Sequence, residues 1–125
     1  MRDFKSELVH HFGYLKSEYR YKLIAFGDQP RAFDNFEAVY SKPPISLRIT
    51  RDRSQVFVEL RHGDSPWVCK DPLLERLGVP MSRFPTYNPE QYGGLWSGYD
   101  IENQSADLKR HLGLLVSHIA SAAQG

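Results

Sequence analysis

The first residues in this chain that could do chemistry are five histidines, and the chemistry would be metal ligation. His10 and His11 are adjacent, so on a helix they point about 100° apart and do not converge on one ion. His111 and His118 lie about two turns apart, beyond the reach of an i, i+4 ligand pair. Asp107 and His111 do have that spacing, but one carboxylate and one imidazole make half a site. With no second cysteine and no H-E-x-x-H run, the reading is structural or solvent-facing histidines, with neither metal nor cofactor.

Nucleophilic catalysis is the next chemistry to weigh. Gly94-Leu95-Trp96-Ser97-Gly98 looks like a nucleophile elbow, but its order is G-x-x-S-G where G-x-S-x-G is required. Cys69 has His62 nearby across a turn, yet a lone cysteine in an apolar stretch reads as buried and inert. Phosphate cradles fail as well. Neither G-x-G-x-x-G nor G-x-x-x-x-G-K-[ST] occurs, and Gly93, Gly94 and Gly98 lack the Lys-[Ser/Thr] pair. Asn103-Gln104-Ser105 matches a glycosylation sequon by chance. The expectation is a chain that is not an enzyme.

Binding surfaces are better represented. Arg48, Arg51, Arg53 and Arg61 gather on and around a predicted hairpin, with Phe57 on the polar parity, the composition of a single-stranded RNA platform. Asp52 and Glu59 interrupt that patch and the net charge is only +1, which argues against nucleic acid as the partner. The stretch from Tyr92 to Glu102 offers large, stiff aromatic area beside acids. Tyr92, Trp96, Tyr99, Asp100 and Glu102 are therefore the expected binding residues, for one protein partner. The alternative for the aromatic residues is to plug the end of the core.

The elements that must hold these residues follow from hydrophobic periodicity. Phe4, Leu8 and Phe12 form one face of a first helix, with Asp3 as its cap and Gly13 as a left-handed stop. Tyr19, Tyr21 and Leu23 alternate with polar residues, favouring a strand within 14–26 that Gly27-Asp28-Gln29-Pro30 breaks. Phe36, Ala38 and Tyr40 alternate up to Pro43-Pro44. Ile45, Leu47 and Ile49 alternate strictly, as do Val56, Val58 and Leu60 after a turn at Arg51-Asp52-Arg53-Ser54. His62 to Pro66 is a further turn. Asp71-Pro72 has the form of an N-cap with proline at the first helical position, and Gly78 closes that short helix. Pro80 to Tyr99 reads as an aromatic Ω-type loop. Leu108, Leu112, Leu115 and Ile119 mark a last helix capped by Asn103 or Ser105.

The predicted architecture is a single α+β domain over 1–125, an antiparallel sheet of about four strands packed against N-terminal and C-terminal helices. Its 41% hydrophobic and 25% charged residues fit an ordinary core. One cysteine excludes an internal disulfide, the N-terminal residues lack a signal-peptide core, and no apolar run would span a bilayer. Together these point to the cytoplasm and away from membranes.

One resemblance is carried by order rather than by a motif. A helix ending Phe12-Gly13-Tyr14 precedes Tyr40 and a proline break. Then come Ile45-Ser-Leu-Arg-Ile-Thr-Arg-Asp-Arg-Ser-Gln-Val-Phe-Val-Glu-Leu and an apolar C-terminal helix. This first half resembles small α+β bacterial proteins of unknown function, some of which sit among polymorphic-toxin immunity proteins. The resemblance implies a toxin-immunity or adaptor role, and carries no family site residue with it. The runner-up expectation is a small-molecule-binding or hydrolase domain, with His62, Asp64 or Cys69 near a cleft between sheet and helices.

Overall fold

The computed structural model describes residues 4–28, 36–52, 55–80, 90 and 96–124. Helix α1 (Phe4–Phe12) buries Leu8 and Phe12 completely, as their spacing on one face requires. Gly13 does not stop the helix with a left-handed turn; it keeps a right-handed helical backbone and leads into a second short helix, α2 (Tyr14–Ser17). A Cβ at Gly13 would stand 2.5 Å from the Val9 carbonyl oxygen, so the position excludes any side chain. The left-handed residue comes later, at Arg20 with φ of 63°. The predicted strand within 14–26 is thus helical in its first part, because Leu15 is buried against the core.

Strands β1 (Lys22–Asp28), β2 (Phe36–Lys42), β3 (Ile45–Asp52), β4 (Gln55–His62) and β5 (Val68–Cys69) follow. They pair antiparallel in sequence order as one five-stranded sheet among the described residues. The antiparallel α+β architecture expected from the alternation is the one found, with five strands where about four were expected. The added one is β5, whose two residues are too few to show a period. In β1 the register slips between Leu23 and Ala25, leaving Ile24 with no opposite residue and its side chain 62% exposed.

Alternation sorts the sheet into two faces. Ala38 and Tyr40, Ile45, Leu47 and Ile49, and Val56, Val58 and Leu60 are buried on one of them. Helix α3 (Lys70–Arg76) and the long helix α4 (Trp96–Gln124) cover that face, and α4 lies chiefly on β4 with α1 beside it. Each fully buried leucine there removes enough apolar surface to contribute about 1.5–3 kcal/mol. Asp71 and Pro72 sit at the second and third positions of α3, after Lys70, and Cys69 is the N-cap residue with no side-chain cap. At the other end, Gly78 (φ 90°) donates to the Glu75 carbonyl and Val79 to that of Leu74, the paired bonds of a Schellman stop.

Helix α4 starts at Trp96, well before the Asn103 or Ser105 cap expected from its leucines. Ile101, Gln104, Ser105, Leu108, Leu112, Leu115 and Ile119 are all buried along it. The two polar residues on this stripe hide its first turns from a hydrophobic pattern. Ser105 caps nothing; its hydroxyl donates back to the Glu102 carbonyl within the helix. Among the described residues no helix is long and apolar enough to cross a membrane.

Candidate functional site

The expected binding loop divides at the start of α4. Tyr92 lies outside the described residues, as do the side chains of Trp96 and Tyr99, whose backbone is helical. Asp100 and Glu102 are described, and they face different surroundings. Two residues apart on a helix means about 200° of rotation. Asp100 therefore turns to the sheet, where its carboxylate accepts a hydrogen bond from the Val56 amide at the start of β4. Burial raises its pKa above the ordinary carboxylate value, and the Val56 bond pulls the other way. Glu102 is exposed to solvent.

The predicted arginine patch also separates. Arg48 and Arg51 are three apart on β3, so they project from opposite faces of the sheet. Arg51 stays near the end of the helix-covered face, its guanidinium 5.5 Å from the Phe36 ring. Arg53 lies outside the described residues. Arg48 and Arg61, in contrast, share the face away from the helices, and what brings them together is Trp67. Their guanidinium carbons stand 4.5 and 4.3 Å from the centroid of the Trp67 ring. Both distances are within cation–π range.

A cross-strand ion pair fixes the first of these arginines. Glu59 stands directly opposite Arg48, and its carboxylate receives Nε at 2.9 Å and Nη2 at 2.8 Å. Glu37 on β2 lies 3.8 Å from the same guanidinium. The Glu59 bonds hold Arg48 above even its ordinary pKa. Next to this frame on β4 is Phe57, 43% exposed. Cys69 lies opposite Glu59 on the same face and is exposed, where an apolar stretch had suggested a buried thiol. Partial desolvation first, and Glu59 second, push that thiol above its ordinary value, with Arg48 opposing. Such a cysteine is a poor nucleophile at neutral pH. Trp67 escaped the sequence reading because β5 is too short to betray which way it faces.

A second polar cluster lies under the helices. Lys70 is only 1% exposed, and its ammonium is held by Asp71 and Asp107. Gln104 Nε2 donates to the other Asp71 oxygen at 3.3 Å, and Asp107 is 3.2 Å from His111 Nδ1. Tyr14 completes the region by donating its phenol to the Ser105 carbonyl at 2.6 Å, and burial pushes that phenol well up. The Asp107 and His111 pair noted for its i, i+4 spacing thus receives a lysine as its third member. Among the described residues no three His, Cys, Asp or Glu side chains converge as metal ligands would. A buried lysine between two carboxylates locks α3 to α4.

Comparison with family models, with curated proteins and with solved structures finds no match to this chain.

Proposed function

We propose that this chain is a non-enzymatic protein-binding module whose docking surface is the helix-free face of its sheet, centred on Trp67. The observation that carries the reading is the placement of two arginines against one tryptophan, with exposed Phe57 alongside. Tryptophan and arginine are the residues in which binding energy concentrates at protein interfaces, and side chains already ordered lose little entropy on docking. Glu37 and Glu59 lie among the arginines, so a protein of mixed charge fits this face better than a polyanion does. The raised thiol of Cys69 and the paired ammonium of Lys70 speak for binding over catalysis. Within this reading the chain is of the immunity or adaptor kind, acting in the cytoplasm on one protein partner. Tyr92, Trp96, Tyr99 and Glu102, with Asp100 held by the Val56 amide, are proposed as a second contact.

The test is a pull-down at low and moderate salt with wild type and Phe57→Ala. Phe57 is exposed, so its loss should leave the fold intact. One stoichiometric protein, resistant to moderate salt and lost by about tenfold with Phe57→Ala, is the expected result. Capture of nucleic acid that salt releases would overturn the reading in favour of an RNA-binding surface.

A further inference from the structure

On the opposite side of Arg61 from that surface's centre, β4, the β4–β5 turn, α3 and the end of α4 enclose a cleft of about 290 Å³. This is just under the usual range for pockets that hold organic ligands, so only a small one would fit. Its floor is apolar, built by Val68, Leu73 and Ile119 with Ala122 and Ala123. Its polar rim is basic: Arg61, His62, Arg76 and His118 line it, and among the described residues neither aspartate nor glutamate does. The end of α4 would by itself favour one cation nearby. Four basic side chains from three elements exceed that need. Arg61 Nε is buried and has no hydrogen-bond partner among the described residues. Buried guanidinium donors are ordinarily satisfied. His62 lines this cleft, whereas Asp64 and Cys69 are not among its lining residues.

We propose that this cleft binds a small organic anion, with a carboxylate or phosphate head at the basic rim and a short apolar body over Val68, Leu73 and Ile119. The head lies at the rim formed by Arg61, His62 and His118, and the body covers apolar surface that no described side chain fills. Arg76 is exposed at the end of α3 and meets the head from the opposite wall. Arg61 is common to both surfaces, since its guanidinium also lies over Trp67, but the cleft's remaining lining residues take no part in the docking face.

Titration with phenyl phosphate, benzoate, inorganic phosphate and benzyl alcohol, followed by the imidazole resonances of His62 and His118, tests this directly. Phenyl phosphate or benzoate should shift both histidines saturably. Inorganic phosphate and benzyl alcohol, each with half of the recognised chemistry, should bind at least about tenfold more weakly. Arg76→Gln should weaken the organic anion by about tenfold or more, and Arg110→Gln, an exposed change on α4 outside the cleft, should not. Three results would each overturn the proposal: no saturable shift with either organic anion, equal binding of inorganic phosphate, or equal loss in both variants.

Discussion

Arg48 and Glu59 face each other across β3 and β4, joined by two hydrogen bonds of 2.9 and 2.8 Å. The pair does more than link neighbouring strands, because the same guanidinium lies 4.5 Å from the centroid of Trp67. The short β5, paired to β4 over only two residues, is in this way tied further to β3 through Trp67. Removing the carboxylate should loosen the arginine first and the tryptophan second.

Glu59→Gln is therefore expected to lower stability by about 1 kcal/mol, between the value of an exposed pair and that of a buried one. Urea unfolding followed by fluorescence in a Trp96→Phe background checks both halves of the claim. The midpoint should fall, and native Trp67 emission should move toward that of a solvated indole.

Breaking the interior ion cluster should cost more. Lys70→Met leaves Asp107 buried without its cation, and a loss of about 3–5 kcal/mol is expected. Adding Asp107→Leu should restore most of it, since an apolar pair of similar volume needs no partner. A double-mutant cycle by chemical denaturation measures the coupling; two additive losses would show that the residues do not act together.

Asp100 predicts the sign of one pH effect. Its pKa is raised in the folded chain above the ordinary 3.8, so the native state holds the proton more tightly than the unfolded state. The resulting stabilisation is full below pH 3.8 and is lost as pH rises through the folded value. Asp100→Asn removes this titration and keeps an acceptor for the Val56 amide. The stability of wild type relative to the variant should therefore fall as pH rises from 3 to 7, read from urea midpoints at about one-unit steps.

Gly78 tests the stop of α3. Its φ of 90° is unfavourable for a side chain, while a Cβ there would meet no atom within 4 Å. Gly78→Ala should cost about 1 kcal/mol from backbone strain alone. Thermal unfolding should report the loss, and the sheet's far-UV signal should be unchanged at low temperature.

What could be read from the sequence was whatever local periodicity encodes. Ile45, Leu47 and Ile49 against Val56, Val58 and Leu60 declare a hairpin because a period of two is visible within one strand. Gly78 likewise marks its helix end by type alone. Gly13 misled, since the same residue type serves here for a close approach to the Val9 carbonyl rather than for a positive φ. The start of α4 was hidden because Gln104 and Ser105 occupy its buried stripe. Lys70 gave no signal whatever: its partner Asp107 is 37 residues away, and only tertiary packing brings the two together. The proposed docking face was half legible. Arg48, Arg61 and Phe57 declare their parity, but their gathering around Trp67 depends on a strand of two residues.

The most direct test of the docking surface is site-specific photocrosslinking in the cells that make the protein. A benzoylphenylalanine placed at Phe57, on the face of Trp67, should yield one discrete protein adduct. The same probe at Leu114, which is exposed on α4, should yield none. Adducts at Leu114 with none at Phe57 would put the partner on the helical side and contradict the account.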